Sequence, residues 1–260
     1  MKTQWRLLAT AIMFLTRIPV GSAGSGDPDD LAASTQYFPL VGIIIGLAVG
    51  VVFWLTQLVW SNELAVILCM VFAVLITGGF HEDGLADAAD STGAWTKERK
   101  LEVMRDSRNG TYGGLALIFA LMLTGFALID IANQSLTNGS TLETVVMSLI
   151  VAHVLGRWSS LILIHTTQYA REDAANKVFV DGVNRHRVII GTLVTMAALV
   201  ISCAVSVPST LAAFLVTLLI IALSRRWFMK SIGGITGDCL GAANKIVEVS
   251  VYLSFAALIS

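Results

Sequence analysis

Long apolar stretches alternate with short polar connections along almost the whole chain. A membrane-spanning helix needs roughly 20 mostly apolar residues. Seven stretches approach or exceed that length: 38–60, 63–80, 113–132, 142–166, 188–206, 208–223 and 245–260. An eighth stretch, 5–20, contains two arginines and ends at a proline, which favours a short interfacial or re-entrant helix over a crossing. The pattern predicts an all-α, polytopic transmembrane bundle of about seven spans, forming one domain over residues 1–260.

Basic residues concentrate in three of the connections and are missing from the turns between them. The basic connections are loops 81–112, 167–187 and 224–245, and the turns without Lys or Arg are 61–62, 133–141 and 207. By the positive-inside rule the basic loops face the cytoplasm. We therefore expect a protein of the bacterial or archaeal inner membrane, with its polar chemistry on the cytoplasmic side.

Composition supports a membrane protein and narrows the range of partners. The chain is 55% apolar and 13% charged, about half the charged fraction of a soluble domain. The net charge of −1 gives no reason to expect a nucleic-acid partner. The three cysteines lie in or near apolar segments without paired spacing, which indicates free thiols and no zinc site.

Four carboxylates lie within nine positions directly after an apolar stretch, in the run GGFHEDGLADAADS. On a helix that continues from that stretch, Asp83, Asp87 and Asp90 fall within a sector of about 60°. Like charges at this spacing repel one another, so the arrangement calls for a compensating cation. Oxygen ligands on one face suit Mg²⁺, which keeps some waters and bridges substrate phosphates.

The neighbours of these acids leave two interpretations open. Small residues at Gly84, Ala86, Ala88 and Ala89 would leave room for a bulky substrate, but a solvated acidic face that caps a span is the plainer alternative. His81 is either a ligand or proton shuttle, or an ordinary polar residue at the membrane interface.

Two arginines follow in the run LEVMRDSRNGTYGG. Arg105 and Arg108 are three positions apart, which would place them on one side of a helical turn. Guanidinium groups fit phosphate oxygens in pairs, so the two arginines suggest recognition of an anion beside a metal. The alternative is a salt-bridged surface helix. Asp106 either joins the metal site or pairs with an arginine.

Further polar residues occur in the second half of the chain. The run SIGGITGDCLGAANK places Asp238 among glycines that allow close approach of a ligand and can cradle phosphate. Glycine-rich segments also form ordinary membrane turns. His153 and Arg157 lie one helical turn apart inside a predicted span, where an arginine is costly. It is therefore either functional or paired with an acid in the bundle.

Taken together, GGFHEDGLADAADS, MRDSRNGTYGG and GGITGDCLGA resemble the cobalamin synthase family, the adenosylcobinamide-GDP ribazoletransferases. FLTRIPV and YFPLVGIIIG also resemble that family, so the resemblance covers nearly the whole chain. It implies a membrane-bound, Mg²⁺-dependent enzyme of nucleotide loop assembly in cobalamin biosynthesis. The substrates would be adenosylcobinamide-GDP and α-ribazole or its 5′-phosphate, and the products adenosylcobalamin or its 5′-phosphate, together with GMP.

The residues noted above can supply the roles that this reaction needs. Attack on a pyrophosphate requires charge neutralisation and a hydroxyl held in line, with a base for its proton. We assign Mg²⁺ to Glu82, Asp83, Asp87 and Asp90. We assign catalysis to His81, Asp83, Asp87, Arg105 and Arg108. We assign substrate binding to Arg105, Arg108, Asn109, Gly237 and Asp238.

Other classes of membrane protein also carry acidic helices. The Asp-Gly-x-x-Ala-Arg pattern of CDP-alcohol phosphotransferases is not met, because the sequence reads Asp83-Gly84-Leu85-Ala86-Asp87, and the Asn-Asp-x-x-Asp pattern of prenyltransferases is missing. Cation transporters place their sites near the bilayer midplane and often show repeated halves, neither of which this sequence indicates. The sequence leaves open homo-oligomerisation and association with other cobalamin-pathway enzymes.

Overall fold

The computed structural model describes residues 2–138, 141–172 and 174–258, and helices account for most of them. Twelve α-helices follow one another in these ranges: α1 Lys2–Leu15, α2 Pro28–Ser34, α3 Phe38–Gln57, α4 Asn62–Thr77, α5 Phe80–Asp90, α6 Lys97–Val103, α7 Thr111–Asn138, α8 Thr141–Thr166, α9 Ala174–Gly182, α10 Arg185–Ser202, α11 Val207–Ile232 and α12 Gly237–Leu258. The predicted all-α polytopic bundle is confirmed. Parts of three predicted segments, at 139–140, 173 and 259–260, lie outside the described residues.

Five helical segments in the described ranges are long and apolar enough to cross a membrane, or six if the bent pair α4–α5 is counted as one span. The prediction of about seven spans also counted α12, whose apolar sequence is interrupted by Asn244, Lys245 and Glu248. Helix α1 has 14 residues, too few to cross a bilayer, in agreement with the predicted short N-terminal helix.

Helix α8 lies at the centre of the bundle, between α3 and α12. A Cβ atom at Gly42 would lie 2.5 Å from the His153 carbonyl oxygen, and one at Gly46 would lie 2.5 Å from the Ile150 Cα. These glycines therefore let the α3 backbone approach α8 closely, as small residues do in membrane bundles. Apolar side chains of α7 and α11, such as Phe126 and Leu219, point outward, where lipid would cover them.

The acidic helix does not continue from the apolar helix before it. Gly78 and Gly79 have φ angles of 72° and 69°, a left-handed conformation that glycine adopts without a steric penalty. Helix α5 consequently leaves α4 at an angle of 86°. The predicted helix over the acidic run is confirmed, but its predicted continuity with the preceding span is wrong.

Candidate functional site

The site is built where α5 crosses α12, and two glycines make the crossing close. A Cβ atom at Gly84 would lie 2.9 Å from the Asp238 carbonyl oxygen and 3.0 Å from the Gly241 Cα. A Cβ atom at Gly241 would lie 3.2 Å from the Gly84 Cα. The expectation that Gly84 leaves room for a substrate is wrong, because α12 occupies that space.

The crossing brings the α5 carboxylates towards Asp238 on α12. Asp87 is half-buried, and the charges of Asp83, Asp238 and Asp90 act on it. Burial raises the pKa of Asp238 above its usual value, and the charge of Asp83 adds to the increase, whereas Arg171 and Thr236 oppose it. The structure therefore joins two predicted site residues of α5, Asp83 and Asp87, to a third that is 151 positions further along the chain than Asp87.

Arg171 supplies a positive charge that the sequence analysis did not assign to the site. Its Nη2 donates to Asp238 Oδ2 at 3.2 Å, and its side chain is 15% exposed. Two backbone hydrogen bonds hold this segment, from Ala170 N to Ile235 O and from Ile235 N to Gln168 O, both at 2.9 Å. In the sequence, Arg171 was only one basic residue of loop 167–187.

Glu82 and Asp90, the other two predicted metal ligands, have protein partners. Asp90 accepts hydrogen bonds from the backbone N–H groups of Gly110 at 2.7 Å and Gly113 at 2.8 Å. Glu82 Oε1 lies 2.8 Å from Lys245 Nζ. Asp90 thus holds the start of α7 by hydrogen bonds, and Glu82 forms an ion pair with Lys245 of α12.

The two predicted phosphate-binding arginines do not share a helical turn. Helix α6 ends at Val103, and both Arg105 and Arg108 are exposed in the segment that follows. Arg108 Nη2 donates to Asp106 Oδ2 at 2.6 Å, and hydrogen bonds from Arg108 lower the pKa of Asp106 to about 2. The interpretation in which Asp106 pairs with an arginine is therefore confirmed. Helical spacing failed here because the helix ends before the first of the two arginines.

His81 lies inside the bundle rather than at its surface. Its side chain is buried, and its Nδ1 is 3.3 Å from Arg157 Nη2. Arg157 also donates to Glu248, which lies 2.9 Å from His153 Nδ1 and 3.3 Å from Lys245 Nζ. Arg157 is therefore paired with an acid of the bundle, which was one of the two interpretations of the sequence.

Two of the cavities that adjoin α5 share Phe80 in their walls. The more enclosed of the two, of about 250 Å³, contains His81 and Asp238 in its wall, together with Arg171, Asn244 and several phenylalanines. A more open groove of about 430 Å³ is lined by nine residues: Arg17, Gly78, Gly79, Phe80, Glu82, Asp83, Ala86, Asn109 and Leu117. We call these the closed cavity and the open groove. Gly237, predicted to bind substrate, borders the closed cavity, and Asn109 borders the open groove.

A model of the family described as cobalamin-5-phosphate synthase matches residues 7–256. The chain belongs to the cobalamin-5-phosphate synthase family. A protein of Shewanella amazonensis called adenosylcobinamide-GDP ribazoletransferase is 41% identical over 254 residues, covering 97% of this chain and 95% of the relative. Proteins of the same name from Shewanella frigidimarina and Shewanella baltica are each 40% identical over 251 residues, covering 96% and 95% of this chain and 94% and 92% of the relative. No solved structure matches the chain.

Family membership makes the protein a transferase of cobalamin biosynthesis and confirms the resemblance of its motifs. It agrees with neither the CDP-alcohol phosphotransferase nor the transporter alternative. All three motif runs fall within the matched residues. In the structure, the first and third runs form the α5–α12 crossing, and the second begins α7 beside Asp90.

Proposed function

We propose that the protein transfers the cobinamide phosphate group of adenosylcobinamide-GDP to α-ribazole or its 5′-phosphate, with release of GMP. The observation that carries the proposal is the grouping of Asp83, Asp87 and Asp238 on two crossing helices beside Arg171. The family match and the names of the relatives support this choice of substrates.

The reaction replaces a phosphoanhydride bond of the donor by a phosphate ester bond to the acceptor. A ribose hydroxyl of the acceptor attacks the phosphorus on the cobinamide side of the pyrophosphate, and the bond from that phosphorus to the bridging oxygen breaks. GMP leaves with the bonding electrons. We assign the hydroxyl proton to Asp238, because its raised pKa makes it a better base near neutral pH than an ordinary aspartate. Arg171 holds that carboxylate in place.

Mg²⁺ is the cofactor that the carboxylate grouping suits. Among the described residues no three Asp, Glu, His or Cys side chains are placed to hold a metal by themselves. Mg²⁺ does not need such a cage, because one or two carboxylates, waters and substrate phosphates commonly complete its coordination. We propose Asp83 and Asp87 as its protein ligands, and leave out Asp90, both of whose oxygens accept backbone hydrogen bonds, and Glu82, whose Oε1 is paired with Lys245. When bound, the ion would neutralise charge on the pyrophosphate.

The remaining sequence assignments keep the status of predictions. Arg105 and Arg108 are exposed, and we propose that they contact substrate phosphates. We also propose that the site faces the cytoplasm in an inner membrane, as the basic residues of loops 81–112, 167–187 and 224–245 indicate.

GMP release by the purified protein in liposomes tests the proposed function. Release is expected only when adenosylcobinamide-GDP, α-ribazole or its phosphate, and Mg²⁺ are all present. Chromatography of the nucleotide products measures it. Absence of GMP from folded protein with all three present would refute the proposal.

Removing the Arg171 charge is expected to lower kcat/KM by roughly 10- to 100-fold, because charge-assisted pairs are among the stronger polar contacts. The variant is Arg171→Met, and Arg171→Lys should recover part of the loss while lacking the planar fork. Lys177→Met, which removes an exposed charge from the same segment, is the matched control. Equal kinetics for Arg171→Met and Lys177→Met would refute the role of Arg171.

A methyl group at the helix crossing is expected to lower turnover by roughly 10- to 100-fold, since displacement by about 1 Å can have such an effect. Gly84→Ala would push α5 away from the Asp238 backbone. Gly114→Ala is the control, because a Cβ atom there meets nothing within 4 Å. Steady-state kinetics compares the variants, and thermal unfolding checks their folding. Full activity of Gly84→Ala would show that the close crossing is not required.

A further inference from the structure

We propose that the closed cavity binds the benzimidazole ring of the acceptor, and that the pyrophosphate donor approaches from the open groove on the other side of α5. The inference rests on the proposed function, because it assigns the two substrates of that reaction to separate cavities. A ribazole is a ribosyl benzimidazole: a flat, bicyclic, mostly apolar ring attached to a sugar rich in hydroxyl groups. The closed cavity offers matching surfaces for both parts.

Phenylalanines form a contiguous aromatic surface in the wall of the closed cavity. Phe14 is at the centre of this surface, with ring centroids 5.8 Å from Phe38, 5.5 Å from Phe80 and 6.1 Å from Phe179. All four side chains line the cavity. Aromatic rings attract one another in stacked and edge-to-face arrangements, so this surface suits a flat aromatic ring.

Polar groups of the same cavity lack partners. Asn244 lines the cavity and is fully buried, and within the described residues its Nδ2 has no hydrogen-bond partner. The same is true of Arg157 Nε. A buried donor without a partner is unfavourable, and an incoming sugar oxygen would accept a hydrogen bond from Asn244. Asp238, the proposed base, lines this cavity too.

The size and the polarity of the closed cavity favour the acceptor over the donor as its ligand. A cavity of about 250 Å³ is several times too small for a corrin macrocycle with its side chains. The guanine of the donor is also a flat bicycle, but its edge carries several donors and acceptors. Burying those groups among phenylalanines would be costly, whereas the benzimidazole ring carries no N–H donor once it is joined to ribose.

The positions of the two cavities also fit a reaction between two substrates. Asp238 borders the closed cavity, Asp83 borders the open groove, and Phe80 borders both. The open groove further contains Arg17 and Asn109, which can contact an anionic donor. Substrates in the two spaces would therefore meet at the carboxylates of the α5–α12 crossing.

The test measures KM for each substrate separately, in liposomes in which the wild-type protein releases GMP. Phe179→Leu keeps an apolar side chain but removes the ring, and is expected to raise the acceptor KM roughly 2- to 10-fold, as the loss of one aromatic pair implies. Phe14→Leu should act in the same direction, and both should leave the donor KM unchanged. Phe126→Leu, on the outward face of α7, is the matched control. Benzimidazole, used as a probe, should inhibit competitively against the acceptor and not against the donor.

Several results would overturn the assignment while leaving the proposed function intact. A donor KM that rises with the acceptor KM unchanged would place the guanine in the closed cavity. Unchanged KM values for both substrates in both variants would show that the aromatic surface does not bind either substrate. Failure of the wild-type protein to release GMP is a separate outcome, which would refute the proposed function and this inference together.

Discussion

Replacing Asp87 by asparagine is expected to reduce kcat for GMP release by at least about 100-fold, because loss of this proposed metal ligand would remove several kcal/mol of transition-state stabilisation. Asp83→Asn should have an effect of similar size. Asparagine keeps the shape of each side chain, so the fold should survive. Asp83, Asp90 and Asp238 repel Asp87 through their charges. In the absence of the ion, removing one of these charges relieves the repulsion and should not destabilise the fold.

The matched control for these variants is Asp130→Asn. Asp130 is exposed in the second half of α7, where it accepts a hydrogen bond from Gln134 Nε2, and it has no assigned role in metal or substrate binding. Steady-state kinetics over a range of Mg²⁺ concentrations should show low kcat for the site variants and near-normal values for Asp130→Asn. Full turnover by Asp83→Asn or Asp87→Asn at saturating Mg²⁺ would contradict the assignment.

Replacing Glu248 by glutamine is expected to destabilise the bundle by about 3–5 kcal/mol, the usual effect of removing one partner from a buried ion pair. Glu248 is 2% exposed and accepts from Arg157, and it also pairs with Lys245. Without its charge, the positive charges of α8 and α12 would be only partly balanced, by Glu82. Thermal unfolding in detergent micelles measures the loss.

Two further variants make this prediction specific. Glu63→Gln, at an exposed acid in the first turn of α4, should unfold like the wild-type protein. Lys245→Met combined with Glu248→Gln removes one charge of each sign and should recover part of the lost stability. A Glu248→Gln protein as stable as wild type would show that the buried network contributes little.

Local spacing explains what the sequence could predict about the site. Asp83 and Asp87 differ by one helical turn, and their separation along α5 follows from the helix itself. The sequence therefore predicted both the helix and the presence of these two acids on one face of it. The lengths of the apolar stretches likewise predicted most spans. A segment in lipid must satisfy its backbone hydrogen bonds internally, so it is expected to be helical over that length.

Contacts between distant segments explain what the sequence could not predict. Arg171 meets Asp238 across 67 positions, and Arg157 meets Glu248 across 91, so no local spacing links them. Gly84 could equally have opened a space or closed a helix crossing, and only the position of α12 decides between the two. Gly78 and Gly79, two successive glycines in the left-handed conformation, turn α5 away from α4. The length of the apolar stretch does not predict this turn.

We propose that Asp83 and Asp87 would hold a divalent cation beside the pyrophosphate of the donor. Electron paramagnetic resonance of Mn²⁺, titrated into the protein in liposomes with adenosylcobinamide-GDP present, tests it most directly. Donor-dependent binding of Mn²⁺ is expected to be lost in Asp83→Asn and Asp87→Asn and kept in Asp130→Asn. Equal Mn²⁺ binding by the wild-type protein and both site variants would contradict it.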